Sequence, residues 1–155
     1  MPSVTIETST GPMTITQDGD AITRVEWGGT AGCDDTRLLR RARAQIGEYF
    51  DGSRTEFDLP LRVLGSEFQR AVCDQMSAIP FGETVTYGDI SKQLSIPAQA
   101  VGQACGGNPI PLIIPCHRVL GATGLGGFSG DGGGLSGIEL KVQLLRHEGA
   151  AGLLI

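Results

Sequence analysis

The four cysteines of this chain, Cys33, Cys73, Cys105 and Cys116, include no CxxC pair, and only two histidines exist to help them. A structural zinc site usually draws on closely spaced Cys/His pairs, so no metal site is expected. No run approaches the roughly 18 apolar residues that span a bilayer. The N-terminus has no basic-then-apolar signal pattern. The protein is therefore expected in the cytoplasm, away from membranes, with its thiols reduced. Positive charge is also short: 12 Lys and Arg stand against 17 Asp and Glu, for a net charge of -5. That balance argues against a protein holding nucleic acid mainly through phosphate neutralisation. The acidity is uneven, however. Residues 1–60 carry six Lys/Arg against ten Asp/Glu, whereas residues 61–119 carry four of each. A surface facing DNA would have to lie in that more neutral middle. No internal repeats are present.

At 155 residues, 40% of them hydrophobic, the chain can bury the core of one domain, or of one domain with a small lobe attached. The runs VTIET, MTITQ and ITRVEW are short and β-branched, separated by the turn signals Thr10-Gly11-Pro12 and Asp18-Gly19-Asp20. They predict a small antiparallel sheet. From Asp35 to Tyr49, Leu38, Leu39, Ala42, Ile46 and Tyr49 recur at helical spacing, and Asp51-Gly52 closes the helix. The segment FDLPLRVLG then reads as a boundary, giving an N-terminal sheet-plus-helix lobe over 1–60 and a C-terminal domain over 61–155. In the second part Ser66 caps a helix with Phe68, Val72 and Met76 on one face. Two short helices, TYGDISKQL and AQAVGQACGG, are joined at Ser95-Ile96-Pro97 in the form of a helix-turn-helix. Ala98, Ala100, Gly102 and Ala104 leave little bulk on the second of these, which suits tight helix packing and a nucleic-acid groove equally well. NPIPLIIPC reads as extended and buried. A glycine-rich loop follows, then a helix apolar at Ile138, Val142 and Leu145. The fold class is α/β in the mixed, α+β sense.

Residues 113–121, IIPCHRVLG, set Cys116, His117 and Arg118 side by side behind a proline. A Cys-His pair alone fits a zinc ligand, a peptidase nucleophile, a redox switch or a small buried hydrophobe. For nucleophilic chemistry the thiol needs a base, because an apolar pocket disfavours the thiolate. His117 is the nearest base. Consecutive residues of an extended chain point to opposite faces, so the imidazole reaches the sulfur only if the chain turns or a water intervenes. Glu148, in the last helix, is the candidate carboxylate to orient the ring.

The ordered set GETVTY, QAVGQACGGNP, IIPCHRV, GGFSG and LLRHEG resembles the O6-alkylguanine-DNA alkyltransferases, also called methylated-DNA–protein-cysteine methyltransferases. The match runs from about Ser66 to Gly149, with a weaker signal in the N-terminal lobe. The resemblance implies a ribonuclease-H-like N-terminal domain and a winged helix-turn-helix C-terminal domain. It implies that Cys116 takes the alkyl group from guanine O6 once and irreversibly, without a cofactor. His117 would act through a water as base, with Glu148 orienting it. Tyr87 would donate a hydrogen bond to the flipped guanine, and Asn108 would brace the segment leading to the cysteine. Backbone groups of Cys116, Val119 and Ser129 would read the guanine edge. Gln99, Ala100 and Gly102 would face DNA. The implied partner is double-stranded DNA containing O6-alkylguanine, or O4-alkylthymine, entered through the minor groove with the damaged base flipped out, by a monomer. Two other readings remain open: a lesion-sensing module that keeps the fold but transfers poorly, and a cysteine hydrolase. Alkyltransferase-like proteins without transfer activity carry tryptophan at the cysteine position.

Three features depart from the family pattern. The loop GDGGGLSG, around 130–137, is longer, and its glycines suggest a yielding pocket wall. The acidic balance disfavours tight DNA binding. And Gln99 stands where the family places an arginine that fills the gap left by the flipped base. Glutamine brings no charge and less stacking surface to that task. Gln99→Arg should accelerate repair of duplex DNA while leaving the rate with free benzylguanine, which needs no flipping, nearly unchanged. Equal changes in both rates, or none, would remove Gln99 from that role.

Overall fold

The computed structural model describes residues 1–29, 32–121 and 137–150. Strands β1 (Ser3–Thr8), β2 (Gly11–Asp18) and β3 (Ala21–Trp27) form an antiparallel meander in that order. The turns fall where the sequence signals them, with Gly19 at φ +62, a conformation that costs a side chain energy and glycine little. Val4, Ile6, Met13, Ile15, Ile22, Val25 and Trp27 turn inward. Helix α1 (Arg37–Asp51) covers that face with Leu39, Ala42, Ile46 and Tyr49. It begins two residues later than the periodicity suggests. Thr36 is the cap, its hydroxyl accepting the Leu39 amide at 3.0 Å, while Asp35 pairs with Arg40 at 3.1 Å instead.

The connecting segment is pinned down. Ile22 and Leu61 form a parallel bridge, the Ile22 amide donates to Pro60 O at 2.8 Å, and the buried Gln45 side chain holds both backbone polar groups of Asp58. Beyond it lie α2 (Glu67–Ser77), β4 (Val85–Thr86), α3 (Tyr87–Leu94), α4 (Ala98–Gly106), β5 (Val119–Leu120) and α5 (Gly137–Glu148). Ser66 caps α2, and Thr86 with Asp89 forms a capping box on α3. Ser95, in the left-handed conformation, ends α3 and lets α4 turn back against it as a helix-turn-helix. One buried cluster runs from Val4 through Leu144. The Val25 amide of β3 also donates to Pro109 O at 3.0 Å, so sheet and C-terminal domain share a hydrogen bond as well as a core.

Three local expectations are corrected. The small residues of α4 do not form one open face, because Ala104 is buried with Val101 and Cys105 while Ala98 and Gln99 are exposed. The segment 108–115 is buried but not extended. It folds into a tight loop closed by Ile114 N to Ile110 O at 2.9 Å, with Leu112 at φ +74. Finally, α5 buries Leu140, Lys141, Leu144, Leu145 and Glu148, leaving Ile138 46% exposed. Two charged side chains turn inward there because each finds polar partners inside. Among the described residues no helix is long and apolar enough to cross a membrane.

Candidate active site

Cys116 opens a short 3-10 turn, Cys116–Arg118, so the chain does bend where a base must approach the thiol. The loop before it is held by Asn108. Its Nδ2 donates to Ile114 O at 2.8 Å and its Oδ1 accepts the Ile110 amide at 3.0 Å. Those two bonds hold the Leu112 backbone in a conformation that a free chain would leave. After the turn, β5 pairs in parallel with β4, Val85 against Val119, which ties the cysteine segment to the start of α3 and Tyr87.

Glu148 is the hub. Its Oε2 accepts from His117 Nε2 at 2.7 Å, Tyr49 Oη at 2.7 Å and Arg118 Nη2 at 3.0 Å. Its Oε1 accepts from Arg118 Nε at 2.8 Å. Four donors are about what a carboxylate's lone pairs can take, and the guanidinium engages it as a two-pronged fork. Burial would raise the Glu148 carboxyl, but the hydrogen bonds from His117 and Arg118 outweigh it and hold the group down to about 2. An ionised carboxylate only accepts, so the His117 proton sits on Nε2. Nδ1 therefore carries a lone pair, and this buried atom has no hydrogen-bond partner among the described protein groups. Burial pulls His117 below its ordinary range against the opposing pull of Glu148, so the ring is neutral at pH 7. The Arg118 and Lys141 charges add to the effect of burial.

The thiol is likewise protonated at rest. Burial pushes Cys116 up to about 11, with Asn108 and the Lys141 charge pulling the other way. Lys141 is fully buried, donates to Val119 O at 2.6 Å and lies 5.7 Å from the centre of the Tyr87 ring. Burial lowers it to about 8. The site thus holds a buried thiol, a neutral imidazole oriented by Glu148 on the next residue, and a cation whose charge acts on the sulfur, the parts that proton removal from a thiol needs.

Cys116, His117, Glu148 and Asn108 thus come together. Tyr87 is half-buried at the start of α3, joined to the group through Lys141. The Val119 carbonyl already accepts from Lys141. Gln99 is exposed in the first turn of α4, with Ala100 and Gly102 half-buried on the same helix. Ser129 and the glycine-rich loop lie outside the described residues, apart from Gly137, which opens α5. Sequence reasoning missed Tyr49, Arg118 and Lys141 as members of this group. Lys141 was within reach: once Leu140, Leu144 and Leu145 define the buried stripe of α5, Lys141 and Glu148 fall on it. Tyr49 lies 99 residues from Glu148 and carried no such signal.

Known proteins are similar to this chain in sequence and fold. The family model for the 6-O-methylguanine DNA methyltransferase DNA binding domain matches residues 67–150, and the ribonuclease-like domain of the same family matches 3–63. The chain belongs to the 6-O-methylguanine DNA methyltransferase family. A methylated-DNA–protein-cysteine methyltransferase of Mycolicibacterium paratuberculosis is 44% identical over 128 residues, covering 81% of this chain and 76% of the relative. One from Mycobacterium bovis is 37% identical over 160 residues, covering 97% and 96%. The crystal structure of Mycobacterium tuberculosis OGT in complex with DNA superimposes with a TM-score of 0.83 at 39% identity, covering 99% of this chain and 98% of that one. The N-terminal lobe of this family member is thus the ribonuclease-like domain, and the helix-turn-helix lies in the DNA binding domain.

The buried His117 makes stability pH-dependent. Unfolded histidine takes up a proton below about 6.5 that the folded ring resists. Its stabilisation is fully present above about pH 6.5 and is lost as pH falls below that, with Glu148 adding a second loss between about 4.5 and 2. Urea unfolding should show up to about 2 kcal/mol less stability at pH 5 than at pH 7. His117→Gln should flatten that slope. An unchanged slope would mean that His117 is not held neutral.

Proposed function

We propose that this protein repairs alkylated DNA by direct reversal, moving the alkyl group of O6-alkylguanine onto Cys116 Sγ. The observation that carries the reading is the unpartnered Nδ1 of a neutral His117, oriented by Glu148, on the residue that follows the buried Cys116. In the step, the S–C bond forms as the bond between the alkyl carbon and O6 breaks. The thiol proton passes through a water to His117 Nδ1. The guanine leaves with the bond's electron pair and is reprotonated on the ring, with the Tyr87 hydroxyl as hydrogen-bond donor. The product is a thioether that no group here can cleave, so each molecule acts once, and the step calls on no cofactor.

The target base must leave the stack for a buried sulfur to reach it. Helix α4 is the proposed DNA-facing element, with Gln99 exposed at its start. A Cβ added to Gly102 would meet nothing within 4 Å beyond its chain neighbours and the backbone of its own helix, which leaves room for close approach. Val119 and Ser129 are the proposed backbone readers of the guanine edge, and Asn108 the brace. Residues 61–155 make up the alkyl-acceptor domain and 1–60 its supporting lobe. A cytoplasmic, monomeric protein acting on double-stranded DNA completes the reading. A lesion sensor would have no use for a base held in one tautomer beside a thiol.

Intact-mass analysis after incubation with DNA containing O6-methylguanine tests this. A single added methyl group on Cys116 is expected. Cys116→Ala should abolish transfer, whereas Cys33→Ala, Cys73→Ala and Cys105→Ala should retain most of it. Transfer undiminished in Cys116→Ala would sink the proposal.

A further inference from the structure

One donor to Glu148 comes from outside the C-terminal domain. Tyr49, in the last turn of α1, is fully buried, and its hydroxyl reaches Glu148 Oε2 at 2.7 Å. We propose that Tyr49 is a positioning residue for alkyl transfer, supplied by the N-terminal lobe to hold the Glu148 carboxylate against His117. The inference rests on the reading that His117 takes the Cys116 proton.

The ring has little freedom. It stacks on Phe57 with centroids 5.6 Å apart and meets Phe50 edge-on at 5.0 Å and Phe81 at 6.1 Å. His147, beside Glu148 in α5, lies 4.8 Å from the ring and donates from Nε2 to Tyr49 O at 2.7 Å. Two consecutive residues of α5 thus grip one residue of α1, the first through its backbone and the second through its hydroxyl. Burial first, and then the Glu148 charge, push the phenol far above its ordinary range, so it stays a hydrogen-bond donor at any working pH. The groups facing the carboxylate are then Tyr49, His117 and Arg118, all of them donors.

A merely structural hydroxyl would add to stability and leave the chemistry alone. A positioning hydroxyl does more, because it shares Oε2 with His117. Without it the carboxylate is less well solvated and draws a proton onto the imidazole more strongly, with Arg118 and His117 alone left to fix Oε2. Less of the neutral, oriented base is then present at a given pH. The sign follows: the His117 titration, and with it the acid limb of the transfer rate, should move to higher pH.

The test is the pH profile of Cys116 alkylation by free benzylguanine, which bypasses DNA binding, in wild type, Tyr49→Phe and His147→Gln. Tyr49→Phe keeps the ring and should fold, yet transfer about tenfold more slowly at pH 7 with its acid limb shifted upward. His147→Gln removes the neighbouring backbone grip while keeping the hydroxyl, and its acid limb should stay in place. A wild-type rate and profile in folded Tyr49→Phe would overturn the inference, as would matching changes in both variants. Should Tyr49→Phe not fold, the Tyr49 hydroxyl proton can be followed by NMR in wild type. Its resonance should move as His117 titrates, and indifference to that titration would overturn the inference too. If wild type takes no alkyl group onto Cys116 from benzylguanine or from DNA containing O6-methylguanine, the functional reading fails first, independently of Tyr49.

Discussion

A single buried carboxylate organises this molecule. Glu148, at the last turn of α5, accepts from Tyr49 in the sheet lobe and from His117 and Arg118 in the cysteine turn. Removing one ion of a buried pair typically costs about 3–5 kcal/mol, because the other charge is left uncompensated. Here the loss would also free the imidazole and undo a link between the two halves of the chain. In the proposed mechanism, folding and chemistry draw on the same hydrogen bonds. Arg118 is bound in turn to Ile79 O, after α2, which extends the network to a third element.

The charges around the sulfur are arranged so that the resting state is neutral wherever neutrality is useful. Arg118 and Glu148 cancel, His117 is uncharged, and Cys116 keeps its proton. Lys141 is the counterweight. Its burial, and its lowering to about 8, place a cation that is only marginally held near the thiol. Development of negative charge on sulfur would favour that ammonium, and the ammonium would favour the thiolate. An overall acidic protein can therefore run this site without a basic surface around it, because the charges that matter are internal. Encounter with DNA is a separate question of the more neutral region around α3 and α4.

Much of the fold was legible in the sequence because each element carries a local signal. The β-branched runs with their glycine turns, the Ser66 and Thr86 caps, and the Leu39-Ala42-Ile46-Tyr49 stripe all speak through neighbours a few residues away. The His117–Glu148 pairing lay beyond any local signal, since 31 residues separate the partners, and it was suggested by the chemistry of the thiol and by the family resemblance. The reading failed where polar side chains break the apolar pattern. In α5, Ile138, Val142 and Leu145 define a plausible stripe, yet the buried one contains Lys141 and Glu148. A hydropathy pattern counts those two as surface residues, and only the partners waiting inside reverse the assignment. The loop 108–115 misled for a related reason. Its prolines suggest extension, whereas the Asn108 side chain supplies the hydrogen bonds of a turn. Tyr49 reads from sequence as one more core aromatic.

The central claim is that Glu148 fixes His117 as a neutral ring with its proton on Nε2 and a free lone pair on Nδ1. Long-range proton–nitrogen NMR of the uniformly labelled, unreacted protein reads this directly. At pH 7 the His117 ring should give one protonated and one unprotonated nitrogen, with the proton assigned to Nε2, and it should stay so well below the pH at which free histidine charges. A His117 ring that is doubly protonated at pH 7, or that carries its single proton on Nδ1, would contradict the account.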